Sequence, residues 1–203
     1  MTFKIIPLNG PPNSGKDTIA DHIARIHYYS KMQFKSRLYE IGAKVLEIEV
    51  EEYVYYCSHR ETKDYEGIFS ERGWQGTPRE HLIWVSEEVI KPLFGYDYFG
   101  KYLAEQIGVS DSCGVVVSDS GFAQELMPIL DRGYYTFDDI EIHVVQLTKD
   151  GCTFEGDSRT YLDKRSFVGL PSRQINPQFH NIEVEDGNLE GTIKLIEESV
   201  GGF

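Results

Sequence analysis

Apolar residues follow two spacings along the chain, and the alternation between the two predicts a parallel α/β fold. Apolar segments typical of buried strands occupy 3–8, 115–117 and 140–147, and two short further strands are expected at 32–35 and 181–185. Apolar positions three and four residues apart, typical of amphipathic helices, run through 17–29, 38–48, 78–94, 98–107, 122–131 and 189–196. Because strands alternate with helices, we expect three layers: a parallel sheet of about five strands with helices on both faces.

Two segments break this periodicity. From 50 to 76 the pattern gives way to aromatic and charged residues, whose tyrosines either stack on a base or form a local core. Thr77 ends this segment with the signature of a helix start, because Pro78 and Glu80 follow at the first and third helical positions. Residues 149–180 are rich in Gly, Ser, Arg and Pro, which predicts a loop or lid.

The composition restricts the functions that this fold can carry. Of 203 residues, 20 are Lys or Arg and 33 are Asp or Glu, so the formal net charge is −13. Hydrophobic residues make up 40% and aromatic residues 13%, which is enough for a core and atypical of a disordered acidic chain. The acidic balance disfavours nucleic acid as a partner, because phosphate backbones are bound through clustered Lys and Arg. An anionic substrate therefore needs a local positive site.

Cysteine spacing and the lengths of the apolar runs favour a cytoplasmic protein. Cys57, Cys113 and Cys152 are odd in number and form no CxxC pair or zinc pattern, so we interpret them as reduced thiols. No apolar run approaches the ~20 residues that span a bilayer, and the first residues lack the features of a secretory signal. The six histidines show no metal-ligand spacing.

Residues 10–18, Gly-Pro-Pro-Asn-Ser-Gly-Lys-Asp-Thr, match the phosphate-binding pattern G-x-x-x-x-G-K between the first predicted strand and helix. In such a loop the glycines let successive N–H groups face one anion, and the following helix adds its positive N-terminal end. The lysine reaches the β- and γ-phosphates. The alternative is a glycine-rich turn with a solvated lysine. The residues assigned to the phosphates are Gly10, Asn13, Ser14, Gly15, Lys16, Asp17 and Thr18.

The residue after the lysine departs from the usual pattern. Asp17 stands where a Ser or Thr hydroxyl usually binds Mg²⁺. Its carboxylate either binds the metal or its waters, or is a first-turn carboxylate that favours the helix dipole. Thr18 does not simply replace the hydroxyl, because one helical step rotates the side chain by about 100°.

The ending Ser-Gly-Lys-Asp near the N-terminus resembles the deoxynucleoside monophosphate kinases of tailed bacteriophages, and also the animal-type phosphomevalonate kinases. Both are P-loop kinases of the nucleoside monophosphate kinase type. Further segments similar to these kinases are 77–80 with 97–99, 116–119 and 181–189. The resemblance implies the P-loop NTPase fold, with 1–203 as a single kinase domain. Within it, the resemblance implies an acceptor-binding helical region over about 36–110 and a lid over about 149–180.

The resemblance also implies ATP and Mg²⁺ as cofactors and assigns roles to residues. Lys16 holds the donor phosphates and acts in catalysis. Asp119 lies near the metal and the reacting phosphates, and with Asp17 it is a candidate metal ligand. The alternative for Asp119 is a helix N-cap or a turn residue after a strand.

Four arginines are candidates for contacts with the transferred and acceptor phosphates. Arg159 is the first lid candidate and is assigned a catalytic role, because phosphoryl transfer spreads negative charge that positioned cations neutralise. Arg165 and Arg173 are further lid candidates and Arg79 is the acceptor-phosphate candidate; these three are assigned to substrate binding. The alternatives are a solvated loop with ion pairs and, for Arg79, an exposed helix start. The related kinases carry an arginine two residues after the aspartate, where this chain has Gly121.

The leading hypothesis is an enzyme that transfers the γ-phosphoryl group of ATP to a nucleoside monophosphate, preferably a deoxynucleotide. Its expected partners are then small nucleotide substrates, with no role for a membrane, and the sequence leaves open whether the chain forms a homodimer. If the chain is encoded by a phage, we expect it to work in the host cytoplasm. A second hypothesis keeps the kinase but changes the acceptor to phosphomevalonate or to a hydroxymethylated pyrimidine, as nucleotide or in DNA. A third is a nucleotide-binding protein with little catalysis, acting as a regulator or sensor.

Overall fold

Five parallel strands form one sheet in a computed structural model that describes residues 2–137 and 139–203. The strands are β1 (Phe3–Asn9), β2 (Ser30–Met32), β3 (Gly114–Ser120), β4 (Ile140–Thr148) and β5 (Gln178–Glu183). Their order along the sheet is β2-β3-β1-β4-β5, so the first strand of the chain is the central one. The predicted parallel α/β architecture is confirmed.

The register of the central strand brings polar side chains together at the carboxyl edge of the sheet. Asn9, the last residue of β1, lies opposite Ser120 of β3 and Gln146 of β4. In open parallel sheets this edge is where ligands bind. The loop that follows β1 therefore begins beside a row of hydrogen-bonding groups.

Helices cover both faces of the sheet. The helices are α1 (Lys16–His27), α2 (Lys35–Leu46), α3 (Val50–Ser58), α4 (Pro78–Trp84), α5 (Lys91–Phe94), α6 (Tyr98–Gly108), α7 (Ala123–Ile129) and α8 (Leu189–Val200). On one face, Leu8 packs in a core cluster with Ile23 of α1 and Ile196 of α8. Residues that alternate with this set point to the other face, where Ile5 is fully buried, as are Ile107 of α6 and Ile129 of α7. The predicted three layers are confirmed.

The chain divides into two compact units. One unit, Met1–Phe34 together with Gly100–Phe203, contains the sheet. The other, Lys35–Phe99, takes its regular structure from helices. Among the described residues, no helix is both long and apolar enough to cross a bilayer.

The helical unit is built around an aromatic core. Tyr53 is fully buried, stacks on Phe69 with ring centroids 5.6 Å apart, and shares a 2.7 Å hydrogen bond between its hydroxyl and Nδ1 of His81. Burial lowers the pKa of His81 to about 4, so this ring is neutral at physiological pH. For Tyr53 and Phe69, the local-core interpretation of the aromatic segment is the one that the structure supports.

Two sequence expectations in this unit have different outcomes. The prediction of irregular structure from 50 to 76 is wrong for the first part of this segment, which forms α3. Tyr53 and Cys57 lie four residues apart and are both buried, so one side of this helix faces the core. The predicted helix start at Thr77 is confirmed, since Thr77 and Glu80 form a reciprocal capping box and Pro78 occupies the first turn. The helix from there to Gly95 changes to a π-helical segment at Val85–Ile90.

Strand boundaries differ from the sequence expectation by a few residues. β2 covers Ser30–Met32 rather than 32–35, and β5 covers Gln178–Glu183 rather than 181–185. β3 continues through Ser120, so the polar triplet 118–120, expected to bound the strand, belongs to it. Pairing with neighbouring strands, which hydrophobicity does not report, sets these limits.

Candidate functional site

The glycine-rich loop forms the predicted turn between β1 and α1. Asn13 and Gly15 have positive φ angles of 64° and 89°, a conformation that Gly adopts freely and Asn tolerates. Ser14 is fully buried, and its N–H donates to the carbonyl of Pro11 at 3.3 Å. Gly15 immediately precedes α1, so the loop leads into the positive end of a 12-residue helix. This is the arrangement that binds anions at a helix N-terminus.

Lys16 folds back over the loop instead of extending into solvent. Its Nζ donates to the carbonyl oxygens of Gly10 and Pro11, both at 2.6 Å, and the residue is 8% exposed. Burial lowers the pKa of Lys16 to about 8, and the positive charge of Arg159 contributes to the lowering. The alternative of a solvated lysine is therefore wrong. The ammonium is held where a phosphate bound by the loop would meet it.

Asp17 connects the first turn of α1 to β3. Its Oδ1 accepts hydrogen bonds from Oγ of Ser118 at 2.8 Å and from Nε2 of Gln33 at 3.0 Å, and Nζ of Lys31 lies 3.2 Å away. Both Asp17 and Thr18 are exposed. These contacts place the carboxylate beside Ser118, which precedes Asp119 in β3. This position is compatible with Asp17 as a metal ligand and with Asp17 as a first-turn carboxylate that favours the helix dipole.

Asp119 lies inside β3 and is buried. Its Oδ1 accepts a hydrogen bond from the N–H of Phe34 at 2.9 Å. The N-cap of α7 is Phe122, so the alternative of Asp119 as a helix N-cap is wrong. The negative charge of Asp119 partly offsets the lowering of the pKa of Lys16, so this carboxylate acts electrostatically on the lysine of the loop.

Arg159 is the arginine that the fold brings to the loop. Its guanidinium forms a bidentate pair with Asp157, with Nε 2.9 Å from Oδ1 and Nη2 2.6 Å from Oδ2, and its side chain is 27% exposed. Asp157 raises the pKa of Arg159, and Asp119 and Glu125 add to that rise. Arg159 in turn lowers the pKa of Lys16. The residue after Arg159 is bound to the strand that precedes the loop, because Nδ2 of Asn9 donates to the carbonyl of Thr160 at 3.0 Å.

The stem of Arg159 lies against Gly121. A Cβ added at residue 121 would stand 2.6 Å from Cδ, 2.7 Å from Cγ and 2.9 Å from Cβ of Arg159. Gly121 is the position at which the sequence resemblance leads us to expect an arginine. In this chain the space is filled by an arginine from a distant segment.

Arg165, Arg173 and Arg79 each form an ion pair with an aspartate. Arg165 is 86% exposed and pairs with Asp163, and Arg173 is 74% exposed and pairs with Asp131. Arg79 belongs to the helical unit, where its Nε lies 2.6 Å from Oδ1 of Asp64. Their assignment to substrate binding therefore stays a prediction.

A network of two side-chain amides fixes the segment that carries Arg159. Asn9, fully buried, donates from Nδ2 to the carbonyls of Ser120 at 3.1 Å and Thr160 at 3.0 Å. Its Oδ1 accepts from the N–H of Leu162 at 2.8 Å and from Nε2 of Gln146 at 3.0 Å, and Gln146 also donates to the carbonyl of Leu162 at 2.9 Å. Sequence reasoning missed both amides, although a polar residue ending an apolar strand was a usable signal.

No protein-family model matches the chain, and no curated protein matches its sequence. A gluconokinase from Sinorhizobium meliloti 1021 superposes with a TM-score of 0.45 and 12% identity, over 99% of this chain and 94% of that chain. An unliganded sugar kinase from Janibacter sp. HTCC2649 superposes with a TM-score of 0.43 and 13% identity, over the same shares. Both TM-scores are below 0.5. Neither likeness therefore carries an argument about this chain.

The carboxylates beside the loop fit Mg²⁺ bound together with phosphate. Mg²⁺ prefers oxygen ligands and is usually held by one or two carboxylates plus substrate phosphates. Asp17 and Asp119 supply two such groups near Lys16. Among residues 2–137 and 139–203, no group of three or more His, Cys, Asp or Glu side chains forms a metal site without such phosphates.

Proposed function

We propose that the chain is an ATP-dependent P-loop kinase that phosphorylates a nucleoside monophosphate, preferably a deoxynucleotide, to the diphosphate. The observation that carries the proposal is a lysine buried over a glycine-rich loop at the N-terminus of α1. Nζ of Lys16 donates to the loop carbonyls of Gly10 and Pro11, and the segment of Arg159 is bound to Asn9, the residue that precedes the loop. A local cation at a helix N-terminus, in a chain of net charge −13, is suited to a polyphosphate.

The loop and Lys16 would bind the donor. Backbone N–H groups of the loop and the N-terminus of α1 would receive the phosphate oxygens, and Lys16 would exchange its carbonyl partners for the β- and γ-phosphates. The bond from the γ-phosphorus to the β–γ bridging oxygen breaks, and a bond to an acceptor phosphate oxygen forms. Arg159 would neutralise the charge that spreads over the transferred group.

Mg²⁺, held by Asp17 or Asp119 with the donor phosphates, would neutralise charge on the β- and γ-oxygens. The acceptor assignment rests on the resemblance of 77–80 to the substrate-side helix of the related kinases. Arg79 would bind the acceptor phosphate after leaving its exposed pair with Asp64, which costs little because exposed ion pairs contribute roughly 0–1 kcal/mol.

The test is ADP release, coupled to a chromogenic reaction, with a panel of nucleoside and deoxynucleoside monophosphates. We expect turnover with at least one member, and a loss of about 100-fold or more in Lys16→Ala, the usual cost of removing one positioned charge at the transferred group. Lys194→Ala is the matched control, since Lys194 is an exposed lysine on α8.

The outcomes separate the three hypotheses. Turnover only with phosphomevalonate or a hydroxymethylpyrimidine nucleotide would keep the kinase and replace the acceptor. ATP binding that is lost in Lys16→Ala, without turnover on any acceptor, would contradict the enzyme and favour a nucleotide-binding protein. Arg79→Ala, compared with Arg72→Ala in the same unit, should raise KM for the acceptor and leave KM for ATP unchanged.

A further inference from the structure

Arg159 is placed by a segment with little freedom to move. The carbonyl of Thr160 and both backbone groups of Leu162 are bound by the side-chain amides of Asn9, which is buried, and Gln146, which is half-buried. On the other side of Arg159, the carboxylate of Asp157 accepts from both the guanidinium and the backbone N–H of Arg159. Leu162 itself is 5% exposed. Residues 157–162 are therefore tied to the carboxyl edge of the sheet.

The same segment passes Gly121 at a distance that only glycine permits. A Cβ at residue 121 would approach the Cβ, Cγ and Cδ atoms of Arg159 to between 2.6 and 2.9 Å, closer than carbon atoms pack. A rotation about χ1 would relieve the contacts of Cγ and Cδ but not the contact of Cβ, which moves only with the backbone. Because Asn9 and Gln146 hold that backbone, the guanidinium would have to leave its place.

We propose that Gly121 and Asn9 are positioning residues that hold Arg159 at the phosphate loop. Arg159 then acts as a preset cation of the donor site, with its side-chain stem packed against Gly121. This inference rests on the proposed function for its catalytic consequence. The placement of Arg159 against Gly121 does not depend on that consequence.

The first test is a double-mutant cycle between Gly121→Ala and Arg159→Ala. If Gly121 acts through Arg159, Gly121→Ala lowers kcat at least about 10-fold with KM for ATP changed less than about 3-fold. In the Arg159→Ala background the same substitution changes kcat less than about 3-fold, because no guanidinium remains to be displaced. An equal loss in both backgrounds, or no loss in Gly121→Ala, overturns the proposal.

The matched control is Gly133→Ala. Gly133 also has an ordinary φ angle, lies in the same unit, and would bring its Cβ 3.2 Å from a flexible carboxylate oxygen of Asp131. We expect its kcat to equal that of the wild type. Circular dichroism shows whether Gly121→Ala folds. If it does not, Asn9→Asp replaces Gly121→Ala in the cycle. The aspartate removes the two hydrogen bonds that Asn9 donates and keeps those that Asn9 accepts.

The second test does not need turnover. The accessibility of the Arg159 guanidinium is read from its rate of modification by phenylglyoxal, followed by mass spectrometry. In the wild type the guanidinium is paired with Asp157 and its side chain is 27% exposed. Gly121→Ala should displace it from this pair and speed its modification, and Gly133→Ala should not. A wild type without turnover, combined with faster modification in Gly121→Ala, refutes the proposed function and keeps the positioning role. An unchanged modification rate of Arg159 in Gly121→Ala overturns the positioning role.

Discussion

In the part of the chain that the structure describes, no carboxylate contacts the buried ammonium group of Lys16 directly. Its hydrogen bonds go to neutral carbonyl oxygens of Gly10 and Pro11, so burial and the charge of Arg159 are opposed only by more distant carboxylates. The lowered pKa follows from this balance. A lysine with such a pKa loses its charge in the range in which enzymes are ordinarily assayed.

At the residue scale, this predicts an alkaline limit for ATP use. Only the charged amine attracts phosphate, and it loses its proton as the pH rises through about 8, so kcat/KM for ATP should fall above that pH, about tenfold per unit. The measurement is a pH profile from 7 to 10. In Arg159→Ala the break should move to higher pH, because a positive neighbour is gone; a wild-type profile that is flat to pH 9.5 would contradict the lowered pKa.

The residues of the loop were predictable from the sequence, but their partners were not. The spacing of Gly10, Gly15 and Lys16 between a strand and a helix identifies an anion site by local geometry alone. The contact between Gly121 and Arg159 joins residues far apart in the chain, and no pattern along the sequence encodes it. For the same reason the sequence could name three lid arginines without indicating that Arg159 lies at the loop.

At the element scale, α4 depends on its first turn. Thr77→Ala removes the side chain that accepts from the N–H of Glu80, and we expect a loss of about 1 kcal/mol in the free energy of unfolding. Urea unfolding followed by tryptophan fluorescence measures this. Both tryptophans of the chain, Trp74 and Trp84, lie in Lys35–Phe99, and Nε1 of Trp74 donates to the carbonyl of Thr77.

Glu80→Gln serves as the control for this helix start. Glutamine retains the reciprocal hydrogen bond of a capping box, so its urea midpoint should stay close to that of the wild type. If Thr77→Ala unfolds at the same urea concentration as the wild type, the box contributes nothing to the stability of this unit.

Local signals explain which elements could be predicted. The capping residues of α4 act within four positions of one another, and the sequence therefore located that helix start correctly. α3 was not predicted because its buried side consists mainly of Tyr53 and Cys57, which stand among polar and aromatic neighbours in the sequence. The apolar residues that pack against this side come from other elements. The start of β5 was predicted three residues too late, because its pairing with β4 begins at Gln178, before the first apolar residues of the predicted strand.

At the scale of the whole molecule, the acidic charge predicts that the chain does not bind DNA. With a net charge of −13, repulsion from phosphates should prevent retention on immobilised double-stranded DNA at about 0.1 M salt. Chromatography on DNA-cellulose measures this, with an acidic protein of similar charge as the reference. Retention that weakens as salt is added would contradict the expectation and favour the hypothesis of a modified pyrimidine in DNA as the acceptor.

The order of the strands has a consequence for how the chain is made. β1 leaves the ribosome first, yet both of its neighbours, β3 at Gly114–Ser120 and β4 at Ile140–Thr148, are synthesised much later. Until then the backbone N–H and C=O groups along both edges of β1 are unpaired and open to incorrect pairing with other nascent chains. Residues 35–99 emerge in between and assemble from contacts near in sequence, which form quickly. The site proposed for the nucleotide is thus completed late in biosynthesis, once translation has passed the fourth strand.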